Sequence, residues 1–349
     1  MASTIVGVIR ETVPGENRVA LTPDTVGAVA ALGMTTLVET TAGARAWWPD
    51  GAYAAAGAHV VSCNELFARA DVVLSVDGSD NGTGRRLHPG QALIGLLRPL
   101  AHPSLVRTWL DCGLTTISLD LLPRNVTAAR SMDAVASQAA IAGYKAAVLA
   151  ADTYGGFFPM SPAVPGAGWP ARVLVLGDGP AAAEAVATAR RLGAEVTRRE
   201  IGSPDQRGDW IAEFDVVITT AQRPGCRPPT LVTLSALHRM SPGSVIVDLA
   251  AGPLGGNVEG SDMDSPTLLG SGVIVLGAGN LPARMAPAAA TLYAHNIIAL
   301  LGHLARDGVV TVDPADEIQS VLVVTHAGRI VSTRVAESQR RAIAAGTVR

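Results

Sequence analysis

The stretch Arg172-Val-Leu-Val-Leu-Gly-Asp-Gly-Pro180 is the part of the chain that decides the fold. Its apolar run after Arg172 is typical of a buried parallel strand, and the two glycines that follow indicate a tight turn. Pro180 is tolerated in the first turn of a helix, and the Ala-rich residues 181–192 favour helix formation. We therefore predict a strand, a turn and a helix in immediate succession.

The spacing of Gly177, Gly179 and Ala182 matches a fingerprint that binds dinucleotides. In this motif the glycines let the backbone approach a pyrophosphate at the helix N-terminus. A second strand over residues 195–199 ends at Glu200, where the fingerprint expects a carboxylate that accepts hydrogen bonds from the adenosine ribose. The sequence therefore predicts an NAD(H) site whose cofactor-binding residues are Gly177, Gly179, Pro180, Ala182 and Glu200.

Two features of this stretch keep alternative interpretations open. Asp178 places a negative charge where phosphates would lie, as an ordinary strand–helix–strand crossover without a ligand would allow. Arg198 and Arg199 could pair with Glu200, or could favour the 2′-phosphate of NADP(H).

Composition and charge restrict the class of protein. With 349 residues, of which 48% are hydrophobic, the chain can bury two domain cores. A net charge of −3 without a basic block argues against nucleic acid as a partner. The three widely spaced cysteines indicate a reducing compartment and argue against a zinc site, so we expect no metal.

The sequence offers little support for membrane insertion. The first residues lead directly into a strand pattern without a signal peptide. The most apolar helical segment, residues 286–304, carries His295, Asn296 and His303 and is a poor membrane span. We expect a soluble cytoplasmic protein, which could still sit peripherally at the inner face of the membrane by docking on a membrane partner.

Strand and helix patterns alternate along most of the chain, which predicts α/β architecture with two doubly wound parallel-sheet (Rossmann-like) domains. The N-terminal domain is predicted to comprise residues 1–130 completed by 309–349. The NAD-binding domain is predicted to comprise residues 131–308, with residues 131–155 as a linking helix. The C-terminal segment contains a β-rich piece at 321–325 and a glycine-turned hairpin at 326–329.

Several stretches, in order along the chain, resemble one family. They are Gly7–Pro23, Ser131–Tyr144, Val217–Ala221, Pro224-Gly225, Val245–Ala250, Gly255-Gly256-Asn257, Asn280-Leu281-Pro282-x-Arg284 and Thr325–Val331. The first resembles the opening of the alanine dehydrogenase and nicotinamide nucleotide transhydrogenase superfamily. The second is similar to the soluble NAD(H)-binding α subunit of proton-translocating transhydrogenases, and the resemblance covers nearly the whole chain.

This resemblance implies a homodimer that transfers hydride between NAD(H) and NADP(H). The NADP(H) would be held on a partner subunit, and a membrane subunit would couple the reaction to proton movement. The resemblance also implies residues at the nicotinamide end and along the nucleotide cleft. The first set is Asp133, Arg124 and Arg130, and the second is Thr219, Thr220, Ala221 and Asn280.

The chain departs from the family pattern at several positions. Arg124 matches the family's Arg only if one residue is inserted, and Arg130 stands where a Gln is expected. Ala136 replaces a hydroxyl residue. Residues 201–214 are shorter than the family's mobile loop, which closes over the nucleotide and contacts the partner, so we expect weaker exclusion of water.

The alanine dehydrogenase branch fits less well, since it uses a Lys and a His on its substrate. The corresponding strand ends here, Leu74–Gly78 and Leu96–Leu100, carry neither residue, although His102 is nearby. Two alternatives to the transhydrogenase interpretation remain. One is a stand-alone NAD-dependent oxidoreductase acting on a small molecule, and the other is a paralogue that binds dinucleotide without hydride transfer.

Overall fold

The computed structural model describes residues 3–78, 82–123, 126–160, 169–200, 209–222, 225–263 and 266–344. The chain forms two compact units. Unit 1 comprises Met1–Val135 and Ala286–Arg349, and unit 2 comprises Ala136–Met285.

The first part of unit 1 alternates short strands with helices. Its elements are β1 (Ile5–Val8), α1 (Pro23–Ala31), β2 (Thr35–Glu39), α2 (Asp50–Ala55), β3 (His59–Val61), α3 (Cys63–Arg69), β4 (Val72–Leu74), β5 (Ala92–Gly95), α4 (Pro103–Asp111) and β6 (Thr115–Ser118). The chain passes into unit 2 within α5 (Ala134–Thr153).

Unit 2 repeats the alternation, and the chain then returns to unit 1. The elements of unit 2 are β7 (Arg172–Leu176), α6 (Pro180–Arg191), β8 (Glu195–Arg199), β9 (Val216–Thr219), α7 (Leu234–Leu237), β10 (Val245–Asp248), β11 (Thr267–Leu269) and β12 (Val273–Gly277). The returning segment forms α8 (Ala286–Leu304), β13 (Ala305–Arg306), β14 (Val309–Val310), α9 (Gln319–Leu322), β15 (Val323–His326), β16 (Arg329–Ile330) and α10 (Thr333–Ala344).

Each unit is built on its own sheet. The eight-stranded sheet of unit 1 has the order β16-β15-β6-β5-β4-β1-β2-β3, and the six-stranded sheet of unit 2 has the order β11-β12-β10-β9-β7-β8. Strands β1 to β6 pair in parallel, as do β7, β8, β9, β10 and β12. The predicted α/β class with two doubly wound parallel sheets is therefore confirmed.

The sheet edges add antiparallel strands to this pattern. In unit 2, β11 pairs antiparallel with β12 and was not predicted. In unit 1, β15 pairs antiparallel with β6, and the predicted hairpin joins β15 to β16 around Gly328, which has φ +73°.

The predicted β-rich piece 321–325 was wrong in its first two residues, because Val321 and Leu322 belong to α9. The side chain of Asp316 accepts hydrogen bonds from the N–H groups of Ile318 (3.0 Å) and Gln319 (2.8 Å). These bonds start a helical turn just before the strand begins.

Helix α8 lies in the core of unit 1, whereas the sequence analysis assigned residues 286–308 to the second domain. Tyr293 is fully buried, and its hydroxyl donates to the carbonyl of Ser75 (2.7 Å). Asn296 Nδ2 donates to the carbonyl of Ser131 (2.8 Å). These contacts, together with the buried apolar face of α8, place residues 286–308 in unit 1.

Among the described residues, two helices are long and apolar enough to cross a membrane by length and composition alone, Ala134–Thr153 and the segment Leu281–Leu304. In the second helix, half of the most apolar 18-residue stretch is buried inside the protein. Burial of this extent is typical of a core helix, so the composition of these helices is weak evidence for a membrane span.

Candidate functional site

The turn between β7 and α6 has the geometry that the dinucleotide fingerprint requires. Gly177 has φ +140°, and a Cβ there would overlap Thr220 Oγ1. Ala182, in the first turn of α6, is fully buried. A larger side chain at either position would therefore push the helix away from the sheet.

Gly179 occupies a different environment, since a Cβ built on it would meet no atom within 4 Å. It caps α6 with extended backbone angles, φ −81° and ψ −176°. The first turn of the helix presents N–H groups at Ala181 and Ala182, because Pro180 has none and first-turn N–H groups lack intrahelical partners. The turn thus leaves an open approach to the positive end of the helix dipole, which fits a phosphate group.

Helix α5 packs closely against this turn through Gly143. A Cβ on Gly143 would overlap the carbonyl oxygen of Ala181 and lie 3.0 Å from its Cα. The glycine therefore lets two helix backbones approach each other at the first turn of α6. Nothing in the sequence pattern alone indicated this contact.

The end of β8 is linked to the turn by hydrogen bonds in both directions. The N–H of Gly177 donates to the carbonyl of Arg199 (2.9 Å), and Arg198 Nε donates to the carbonyl of Gly177 (3.0 Å). The guanidinium carbon of Arg199 lies 4.1 Å from the ring centroid of Trp210. Glu200 follows these residues and is exposed.

The ends of β9 and β10 are fixed by the fully buried carboxylate of Asp248. Its Oδ1 accepts from Thr219 Oγ1 (3.1 Å) and the N–H of Ala250 (2.9 Å). Its Oδ2 accepts from the N–H of Val258 (3.0 Å) and from Ser261 Oγ (2.9 Å). The Thr219 hydroxyl thus donates its hydrogen bond to another side chain of the protein. Asp248 joins three segments of the chain at the carboxyl edge of the sheet.

Asn257 holds the backbone that follows β9. Its side-chain amide bonds both the N–H and the carbonyl of Ala221 (3.0 Å each), and it also donates to the carbonyl of Pro229 (2.8 Å). Thr220 is half-buried and donates to the carbonyl of Leu176 (3.1 Å). Asn280 is exposed beyond β12. Ligands of open α/β sheets bind beyond such carboxyl ends, so the predicted residues of unit 2 share the expected edge.

The predicted nicotinamide-end residues belong to unit 1. Asp133 is half-buried, ends a 3₁₀ helix over Thr127–Met132 and immediately precedes α5. Its N–H donates to the carbonyl of Arg130 (3.2 Å), whose side chain is exposed. Arg124 lies outside the described residues.

Unit 1 contains a buried polar cluster that the sequence analysis missed. Arg18 Nη2 lies 2.6 Å from Glu16 Oε2, and both side chains are almost completely buried. Beside this pair, the half-exposed side chain of Arg98 contacts the almost buried Asp77, with Nη2 at 3.1 Å from the carboxylate, beyond the ends of β5 and β4. The run Gly15-Glu16-Asn17-Arg18 was part of a family motif, but its side-chain partners could not be read from it.

Glu11 is the most unusual member of this cluster. Its Oε1 accepts from Ser75 Oγ (3.0 Å) and the N–H of Val76 (2.5 Å), while Oε2 is buried without a hydrogen-bond partner. Burial raises the pKa of Glu11 to about 8, assisted by the nearby carboxylates of Glu16 and Asp77 and opposed by the two hydrogen bonds. The side chain is therefore largely protonated at neutral pH.

Within the described part of the chain, no group of three or more His, Cys, Asp or Glu side chains is arranged to hold a metal ion. The three cysteines are not joined in disulfides. Unit 2 contains a glycine turn, the N-terminus of α6 and an acidic residue, Glu200, after strand β8. This combination suits an organic cofactor that contains phosphate groups.

Comparison with known proteins points to one family over both units. A profile of the alanine dehydrogenase/PNT N-terminal domain matches residues 7–142, and a profile of the C-terminal domain of the same family matches residues 144–207 and 203–333.

Individual relatives come from both branches of the family. The NAD(P) transhydrogenase subunit alpha of Cereibacter sphaeroides is 36% identical, over 93% of this chain and 70% of that protein. The alanine dehydrogenase of Bacillus subtilis is 30% identical, over 84% of this chain and 83% of that protein. The crystal structure of a transhydrogenase from Sinorhizobium meliloti superposes with a TM-score of 0.85 at 34% identity, over 94% of this chain and all of that one.

Proposed function

The chain belongs to the alanine dehydrogenase/PNT family, and we propose that it is the NAD(H)-binding subunit of a transhydrogenase. In this proposal it exchanges hydride between NAD(H) and NADP(H) held on a partner subunit. The observation that carries the proposal is the open approach to the N-terminus of α6 over Gly179. The relatives named NAD(P) transhydrogenase subunit alpha support it over most of the chain.

Unit 2 would hold the dinucleotide. The N–H groups of the first turn of α6 would bind the pyrophosphate, and Glu200 would accept from the adenosine ribose. Thr220, Ala221 and Asn280 would line the cleft, with Ala221 held in place by Asn257. Bound NAD(H) would supply the hydride donor or acceptor of the reaction.

We assign Asp133, Arg124 and Arg130 to the nicotinamide end on the strength of the family resemblance. No side chain has to move a proton when hydride passes between two nicotinamides. The task of these residues is then to position the ring and to exclude water. The position of Asp133 directly before α5 also lets its charge complement the helix dipole.

The strand ends of unit 1 favour the transhydrogenase role over a stand-alone dehydrogenase. Where an alanine dehydrogenase would use Lys and His, this chain has Asp77 and Arg98, which pair with each other at 3.1 Å. At these strand ends the chain therefore lacks both the Lys and the His that an alanine dehydrogenase uses on its substrate. The alternatives of another small-molecule substrate, or of binding without hydride transfer, remain as outcomes of the experiment below.

The proposed protein works with other subunits. We infer a cytoplasmic homodimer that associates with an NADP(H)-binding subunit and a membrane subunit, as the naming of the relatives as subunit alpha suggests. Such a protein would sit at the inner face of the membrane through its partners.

The direct test is hydride transfer with and without a partner. The purified chain is mixed with NADH and an oxidised nicotinamide analogue, with or without the NADP(H)-binding subunit of a transhydrogenase loaded with NADP(H). We expect turnover only with that subunit present. Turnover of a small 2-oxo acid by the chain alone would favour the stand-alone enzyme. Tight NADH binding without turnover under either condition would favour the non-transferring paralogue.

A further inference from the structure

Two arginines precede the predicted ribose-binding acid at the end of β8. A guanidinium at this place is the usual device for holding the 2′-phosphate of NADP(H), while a carboxylate selects the ribose diol of NAD(H). The sequence therefore carries both signals side by side, at Arg198, Arg199 and Glu200. In the structure, the guanidinium groups of Arg198 and Arg199 make different contacts.

Arg198 is used by the glycine turn. Its Nε donates to the carbonyl of Gly177 at 3.0 Å, and the same glycine donates its N–H to the carbonyl of Arg199 at 2.9 Å. The parallel pairing of β7 with β8 thus continues one residue past Leu176, and Arg198 braces it. Arg198 is in this way a support of the turn.

Arg199 is held on the opposite face of the strand. Alternate residues of a strand share a face, so Arg199 lies on the same side as Glu195 and Thr197. The 3₁₀ helix Asp209–Glu213 covers that side, since Glu195 and Thr197 line a cleft of about 230 Å³ together with Glu213 and Phe214. Trp210 of this helix stacks on the Arg199 guanidinium at 4.1 Å, and Phe214 contacts the Trp210 ring edge-on.

We propose that Trp210 is a positioning residue for Arg199 that sets dinucleotide specificity. By holding the guanidinium against its ring, it leaves the Glu200 carboxylate to decide which dinucleotide binds, and NAD(H) is selected over NADP(H). This inference rests on the proposed dinucleotide site of unit 2. To reach a 2′-phosphate, Arg199 would have to give up its cation–π contact with Trp210. Removing the ring removes that cost, so a 2′-phosphate carrying nearly two negative charges would then attract the guanidinium more effectively.

The test is a set of titrations of the full chain with NADH and with NADPH, in which the fluorescence of the nucleotide reports binding. We expect the wild type to bind NADPH at least about tenfold more weakly than NADH, because the Glu200 carboxylate repels the phosphate. Trp210→Ala should tighten NADPH binding by about tenfold, the size of one charge-assisted hydrogen bond, and change NADH binding by less than about threefold. Trp210→Phe keeps an aromatic face and should behave as the wild type.

The double variant Trp210→Ala/Arg199→Ala tests whether Arg199 is the group that tightens NADPH binding in Trp210→Ala. It should lose the gain in NADPH affinity, which a purely structural effect of removing the tryptophan would not do. Arg199→Ala in the wild-type background gives a test that does not depend on folding of the tryptophan variant. It should leave NADPH affinity unchanged, and weaker NADPH binding would mean that Arg199 already contacts the phosphate, overturning the proposal.

The outcomes separate this inference from the proposed function. If the wild type binds neither nucleotide, the dinucleotide site itself is wrong. If NADH binds tightly and Trp210→Ala leaves the NADPH-to-NADH affinity ratio unchanged, the role of Trp210 is refuted while the site stands.

Discussion

Replacing Glu11 by Gln should change how the stability of the protein depends on pH. The Glu11 carboxyl is fully buried, Oε2 has no hydrogen-bond partner, and its pKa is raised from 4.5 to about 8. The folded state therefore keeps a proton that the unfolded chain releases. Gln carries no titrating proton and can still accept from Ser75 and Val76 through its side-chain oxygen.

The sign of the effect follows from the raised pKa. The stabilising contribution of the protonated group is fully present below pH 4.5 and is lost as pH rises towards about 8. Within that interval the free energy of unfolding of the wild type should fall by about 1.4 kcal/mol per pH unit relative to the variant. Over the whole interval the relative change is of order 4–5 kcal/mol.

The assay is urea unfolding of the wild type and Glu11→Gln at pH 5.5 and pH 8.5, read as the difference between the two proteins. We expect the variant to gain several kcal/mol over the wild type between the two pH values. Glu65→Gln, which neutralises an exposed carboxylate paired with Arg69, controls for the loss of one negative charge. A difference between wild type and Glu11→Gln that stays constant with pH would refute the assignment of a buried proton.

Three further changes test the proposed site. Glu200→Ala should weaken NADH binding by about 1–3 kcal/mol if the carboxylate accepts from the ribose, and unchanged affinity by fluorescence titration would refute that role. Asp133→Asn should reduce hydride transfer more than NADH binding, and an equal loss of both would count against a nicotinamide-end role. Gly143→Ala should lower the free energy of unfolding by about 1–3 kcal/mol, because its methyl group would overlap the Ala181 carbonyl. The matched Gly27→Ala, on an exposed helix position with no atom near its Cβ, should instead gain up to about 1 kcal/mol, and similar urea midpoints for the two would contradict this reasoning.

Much of the fold could be predicted because local patterns determine it. The predicted strand at residues 195–199 and the helical segment at 286–304 match β8 and α8 residue for residue. Their bounds are set by glycines, prolines and apolar runs, which act over a few residues. Strand β11 escaped prediction because it has only three residues and its Leu268 is largely exposed.

The parts of the site that could not be predicted depend on partners far apart in the sequence. Asp248 is predicted only as the last residue of a strand, whereas three of its hydrogen bonds come from Thr219, Val258 and Ser261, which the fold brings to it. Tyr293 reaches Ser75 across 218 residues, which explains why α8 could not be assigned to unit 1 from its own sequence. The glycine turn was predictable because strand, turn and helix are consecutive.

In the proposed function, the turn before α6 receives the phosphates of a nicotinamide dinucleotide. The most direct measurement is calorimetric titration of NADH into the wild type and Gly179→Ser, with thermal unfolding of both. Ser fits the backbone angles of Gly179, has open space for its side chain and is a favoured helix N-cap, so folding should be preserved.

The serine side chain would occupy the phosphate approach and cap the same N–H groups. We predict that Gly179→Ser keeps or raises the unfolding temperature and weakens NADH binding at least about tenfold, the loss of one charge-assisted hydrogen bond or more. Gly155→Ser, at another exposed glycine of unit 2 with open space around it, should bind NADH as the wild type does. Equal NADH affinity of wild type and Gly179→Ser would contradict the account.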